Sequence, residues 1–76
     1  MKELVEFLAR ELVDDPDAVE VTESTDDRGT LFTLRVAPDD MGKVIGKAGR
    51  TARAIRTVVR AAATRQGTNV HVDIAD

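Results

Sequence analysis

The segment Val44-Ile45-Gly46-Lys47-Ala48-Gly49-Arg50 constrains this chain more than any other part of it. Two glycines bracket Lys47-Ala48, and an apolar pair precedes them. A run with helical pattern follows, carrying further arginines at Arg53, Arg56, Arg60 and Arg65. Glycine allows turns denied to other residues and lets the backbone come close to a ligand. The first turn of the helix behind it offers free amides and the positive end of the helix dipole. The spacing predicts a break between two helices that is suited to an anion, and the rest of the fold must accommodate it.

The hydrophobic periodicity on either side supplies that fold. Residues 3–13 read as an amphipathic helix, with Leu4, Leu8 and Leu12 at spacing four and Val5 beside them. Asp14-Asp15-Pro16-Asp17 ends it, since a proline disfavours helix in the residue before it. From Ala18 the period becomes two, with Val19 and Val21 alternating with Glu20 and Thr22. Asp26-Asp27-Arg28-Gly29 is a turn, and Phe32, Leu34 and Val36 mark a second strand antiparallel to the first. Pro38-Asp39-Asp40 opens a short helix that runs to about Ile45, with Asp39 or Asp40 as its N-cap. A longer helix follows from Arg50 to Arg65, with Gly67 as its stop. Val70, Val72 and Ile74 alternate with His71 and Asp73 as the last strand. The order α-β-β-α-α-β, with a right-handed crossover returning the last strand parallel to its partner, predicts an α+β fold. Its sheet is three-stranded and mixed, with the helices packed on one face. On the long helix, Ala52, Ile55, Val58, Val59 and Ala62 take one side and Arg50, Arg53, Arg56 and Arg60 much of the other.

Charge divides along the same boundary. Residues 1–40 carry twelve acids against four bases, a net of −8. Residues 41–72 carry seven bases and no acid, a net of +7. The formal total of −3 thus hides a strongly basic half, and a polyanion responds to the face it meets. The simpler account, in which the arginines only solvate a helix, does not explain the glycine loop at its start. The 76 residues are enough for one domain spanning 1–76. There is no cysteine and only one histidine, His71, so neither a disulfide framework nor a zinc cluster is expected. The N-terminus has acids where a leader would be apolar, and no run approaches membrane-spanning length. A soluble cytoplasmic protein is expected.

Three phosphate-loop patterns compete for the glycines. The Walker pattern fails because Gly42 and Gly46 are too close and Ala48 stands where a magnesium-binding hydroxyl is needed. The dinucleotide fingerprint fails because Val44 stands in place of its first glycine and a helix precedes the loop. A helix-G-x-x-G-helix clamp for a nucleic-acid backbone fits. With Ile45 before it and Arg50 after it, this stretch resembles the signature of the KH domain, an RNA-binding module. The element order is similar to the type II, bacterial form, and the resemblance covers essentially the whole chain. Ala52, Ile55 and Val59 fall where that family packs its long helix. At this size the chain is most similar to the KhpA family of small single-domain KH proteins.

The resemblance implies a non-catalytic protein that binds single-stranded RNA through Val44, Ile45, Gly46, Lys47, Ala48, Gly49, Arg50 and Arg53. Gly46 would end the short helix with positive φ, and Gly49 would leave room for a phosphate. Lys47, Arg50 and Arg53 would neutralise the phosphates, and Ile45 and Val44 would face a base. The second strand around Leu34–Val36 would form the opposite wall. The resemblance also implies self-pairing, or pairing with a larger KH-containing protein. A role mainly in protein interaction, with the KH fold as scaffold, stays open as the alternative. No cofactor, metal, membrane or small-molecule substrate is expected, because no nucleophile–base pair and no metal-ligand spacing occurs. Phe7 and Phe32 are expected in the core, and His71 on a solvated strand face.

Overall fold

The computed structural model of the protein describes residues 1–75. Helix α1 spans Lys2–Leu12, strand β1 Glu20–Asp26 and strand β2 Gly29–Arg35. Helix α2 spans Met41–Ile45, helix α3 Arg50–Gln66 and strand β3 Val70–Ala75. Single 3-10 turns at Pro16–Ala18, Pro38–Asp40 and Lys47–Gly49 join them. The order of helices and strands is the one the periodicity predicts.

The sheet order is β1-β2-β3. β1 and β2 pair antiparallel, with Val21 opposite Leu34 and Asp26 opposite Gly29. β2 and β3 pair parallel, with Phe32 beside Val72, so the last strand does return parallel. Asn69 ties the hairpin turn to the start of β3. Its side-chain amide donates to Arg28 O at 2.7 Å, and its carbonyl accepts from Thr30 N at 2.9 Å. Strand alternation then sorts the two faces. Val21, Phe32, Leu34, Val70 and Val72 are buried and join Val5, Ala9, Val44, Ile55, Val59 and Ala63 in one core. The other face carries cross-strand rows such as Ser24–Leu31–His71 and Thr22–Thr33–Asp73. His71 is exposed there, as expected. Fully burying side chains such as Phe32, Leu34 and Val59 stabilises the fold by about 1.5–3 kcal/mol each.

Three expectations about packing are corrected. Phe7 is 59% exposed rather than core. The buried face of α1 is set by Val5 and Ala9, and Phe7, two residues from each, emerges on the opposite side of the helix. Leu12 is likewise partly exposed. On α3, Val58 is 45% exposed, and the buried positions are Ala52, Ile55, Val59 and Ala63. Ala62 is only half-buried. Third, neither Asp39 nor Asp40 caps α2 through its side chain. Asp40 has helix-like backbone angles, φ −97° and ψ −5°, and not the extended geometry of an N-cap.

Asp40 instead joins two parts of the chain. Its carboxylate is 2% exposed, and it accepts the backbone amides of Asp14 at 3.2 Å and Asp15 at 3.1 Å. It also accepts Lys43 Nζ at 3.3 Å, and Lys43 reaches on to Asp14. The connection leaving α1 is thereby fastened to the start of α2. Burial pushes the Asp40 carboxyl up, but the two amides and the ammonium outweigh it, and it titrates below the ordinary carboxylate range. Lys43 is raised, first by its hydrogen bond to Asp14 and despite partial burial. Because the Asp40 value is lowered in the folded state, its contribution is present above the unfolded value, about 3.9. That contribution is lost as pH falls through the lower folded value. Asp40→Asn should therefore lower the melting temperature near neutral pH. The difference from the parent should shrink on acidification below about pH 4, where the parent loses the same charge. Thermal melts across that range check this; a difference independent of pH would show that charge is not what the site uses.

Candidate functional site

α2 ends at Gly46, whose amide donates to Gly42 O at 2.9 Å. Gly46–Gly49 form the loop. Gly46 has φ 75° and ψ 171°, a region essentially restricted to glycine. Ala48 has φ 57° and ψ 26°, and Gly49 has φ 74° and ψ 14°. Three of the four loop residues thus hold positive φ, and Ala48 alone among the described non-glycine residues does so. An alanine in the left-handed region costs roughly 1–2 kcal/mol. That strain is sustained by the packed helices on both sides.

The two glycines are needed for different reasons. A Cβ on Gly46 would lie 2.2 Å from Thr51 Oγ1 and 2.8 Å from the Thr51 amide nitrogen. Gly46 is therefore the point where the end of α2 rests on the first turn of α3. A Cβ on Gly49 would meet nothing within 4 Å. The space beside Gly49 is open to a ligand, and its glycine is demanded by φ alone. Gly49 N donates to Gly46 O at 3.1 Å, and Arg50 N to Lys47 O.

The charges around the loop are of one sign. Lys47, Arg50 and Arg53 are exposed, and none has an ion-pair partner among the described residues. The first turn of α3 holds no acid. The positive end of a helix dipole favours acids, and each misplaced cation costs a few tenths of a kcal/mol. The arrangement is electrostatically unfavourable until an anion arrives. Lys43 differs, since Asp14 and Asp40 already satisfy it.

The expected binding residues are only partly brought together. Ile45, Gly46, Lys47, Ala48, Gly49, Arg50 and Arg53 lie in or beside the loop, and Ile45 is 38% exposed. Val44 is fully buried and cannot meet a base. It is a neighbour of Ile45 on a helix, 100° away, and only one of the two can face out. The second strand cannot form the wall either. Leu34 and Val36 are buried, and the exposed Arg35 pairs with Glu20 at 3.9 Å. The free edge beside α3 belongs to β3 instead. There Arg56, half-buried, donates from Nε to Val72 O at 3.1 Å, so it is not one of the outward arginines. Two further features were not foreseen. Thr51 supports Gly46, which neither spacing nor polarity could indicate. An apolar groove of about 230 Å³ lies between α1 and α3, lined by Leu8, Leu12, Thr51, Ala54 and Val58, with Glu11 at its rim. The unexpected exposure of Leu12 and Val58 is the signal for it. No group of acids and histidine suited to a metal ion occurs among the described residues. No helix is long and apolar enough to cross a membrane.

The asymmetry of the glycines predicts unequal effects. Gly49→Ala should destabilise by about 1 kcal/mol, the strain of one left-handed alanine. Gly46→Ala should destabilise by clearly more, since backbone as well as side chain of Thr51 must move. Urea unfolding of the two variants checks this, and equal losses would contradict the close approach.

Comparison with known proteins agrees with this geometry. The family model "KhpA/KhpB, KH domain" matches residues 2–74. The RNA-binding protein KhpA of Halalkalibacterium halodurans is 58% identical over 76 residues, covering 100% of both chains. The protein of the same name from Clostridium acetobutylicum is 54% identical over 74 residues, 97% of this chain and 99% of that one. Among solved structures, Aquifex aeolicus Era superposes with a TM-score of 0.67 at 19% identity. The match covers 96% of this chain but 28% of that one, and shows the fold alone. The α-β-β-α-α-β order and mixed sheet are those of a type II KH fold. The chain belongs to the KhpA/KhpB family of KH domains.

Proposed function

We propose that this protein binds single-stranded RNA in the cytoplasm, without catalysis, by clamping the sugar-phosphate backbone at Gly46–Gly49. The observation that carries this is the meeting, at the start of α3, of positive-φ backbone, open space beside Gly49 and cations without an ion-pair partner among the described residues. The names of the relatives support it. The amides of Lys47 and Ala48 would hold a phosphate, and Gly49 leaves it room. Lys47, Arg50 and Arg53 supply the charge, and Ile45 offers an apolar surface to a neighbouring base. The opposite wall is the free edge of β3, and not the second strand. A domain of this type reads about four nucleotides, so specificity is low, as suits a general RNA chaperone or post-transcriptional regulator.

Two to four phosphate contacts give a salt slope of roughly −1.5 to −3 for a single strand. Lys47→Asp with Ala48→Asp should abolish binding by repulsion. The fold should survive, because the glycines remain and aspartate tolerates the left-handed region better than alanine. Anisotropy with labelled RNA checks this, with circular dichroism to verify folding. Undiminished binding by the folded variant would refute the clamp.

The apolar groove favours a second role, self-pairing. Leu12 and Val58 line the groove and are exposed, Glu11 stands on its α1 rim, and Ala54 and Val58 of its α3 rim also line an adjoining hollow with Arg50 and Arg53. A second copy related by a two-fold axis could set α1 of one chain against α3 of the other, pairing these rims twice. A larger KH-containing protein with a similar surface could take the same place. Val58→Asp should shift the protein to monomer in sedimentation, while the Lys47, Ala48 double variant keeps the parent's association. A monomeric parent would sink self-pairing.

A further inference from the structure

The clamp uses only the first turn of α3, yet the basic surface continues beyond it. At 100° per residue, Arg60 lies within about 20° of Arg53 on the helix, and about 10.5 Å further along the axis. Both are exposed, and neither has an ion-pair partner among the described residues. Thr57 and Thr64 fall on the same stripe. Their hydroxyls are turned back onto the carbonyls of Arg53 and Arg60, each at 2.9 Å, so they leave the stripe to the guanidinium groups.

An ordinary solvated helix face mixes signs and gains from acids placed three or four residues from bases. α3 does the reverse. Arg50–Arg53 and Arg53–Arg56 are like-charged pairs at spacing three, and Arg56–Arg60 is one at spacing four. No acid occurs anywhere in 41–72 to offset them. Arg56 is held by Val72 O, about 60° around the helix from Arg53 and one turn before Arg60. Solvation alone gives no reason to keep three repulsive pairs in a row. A polyanion lying along the stripe removes the repulsion.

We infer that the RNA path extends past the loop along the outer face of α3, with Arg60 as a second phosphate anchor. Resting on the clamp reading, this assigns the protein a longer single strand than the loop alone can hold. Arg60 does not hold the loop's shape, so its contribution can be separated from the clamp.

The test uses Arg60→Gln and two unstructured RNAs, one of about four nucleotides and one about three times as long. The expected result is unchanged binding of the short strand and a several-fold loss for the long one. The long strand's salt slope should become shallower by about 0.7 for the lost phosphate. In amide NMR spectra the short strand should shift residues 45–53, and the long strand also residues 57–64. The free variant should melt at the parent's temperature or higher, since one repulsive pair is gone, whereas a purely structural arginine would lower it. Equal long-strand affinity for variant and parent overturns the extension. The Lys47, Ala48 double variant keeps the two readings apart. If it abolishes short-strand binding while Arg60→Gln changes nothing, the extension fails and the clamp stands. If it leaves short-strand binding intact, the clamp itself fails.

Discussion

The close approach of Gly46 to Thr51 is the contact on which the rest of the molecule turns. No side chain fits between them, so the end of α2 and the start of α3 can meet without a spacer. That meeting lets Val44 reach full burial among the same core residues as Ile55 and Val59. It also leaves the following three residues no extended route into α3. They must close in a tight turn, and the positive φ of Ala48 and Gly49 is how they do so. The loop that carries Lys47 and the open space beside Gly49 is built by this turn. Core packing and the candidate anion site are therefore one constraint seen from two sides.

The charges are organised around that constraint by separation. Lys43 stands just before the loop and is bound inward by Asp14 and Asp40. Every cation after it in α3 lacks a carboxylate partner among the described residues. From Lys43 onward, the boundary between cations with and without a carboxylate partner among the described residues falls at the glycines. Asp14 and Asp40 fasten the fold, and the acids on α1 and in the connection to β1 would repel a polyanion from that side. The helix dipole and the like-charged neighbours make the free α3 less stable than it could be. A small domain has little stability in reserve. Keeping such a helix is easier to understand if a ligand offsets the repulsion than if water alone surrounds it.

Period and punctuation made the fold legible in the sequence. Alternation in Phe32-Thr33-Leu34 and in Val70-His71-Val72 sorted the sheet's faces, and Gly46 and Gly67 marked real helix ends. What stayed hidden was the rotation of each helix about its own axis. Leu4, Leu8 and Leu12 looked like the stripe of α1, but the sheet took Val5 and Ala9, which turned Leu12 and Phe7 outward. The same ambiguity at Val44-Ile45 could not be settled by composition, since the pair is equally apolar. Long-range polar contacts left no local signal. Nothing near Asp40 says that it will meet amides 25 and 26 residues away, and nothing in Arg56 says that β3 will place Val72 O within its reach.

α3 also explains why the two candidate surfaces lie side by side. One of its faces is buried against the sheet, and the flank toward β3 is taken up by Arg56. Only the remaining arc is free. Arg50 and Arg53 occupy part of it, and Ala54 and Val58 border both them and the groove with α1. Thr51 belongs to both neighbourhoods, touching Gly46 on one side and lining the groove on the other. A body seated in the groove would therefore lie next to the arginines and share their field. It would also press on the residue that holds the loop. Among the described residues no second helix of comparable length is available, since α2 has five residues and α1 eleven. A polyanion at the loop and a body in the groove would thus be linked through one helix, by charge at Arg53 and by contact at Thr51.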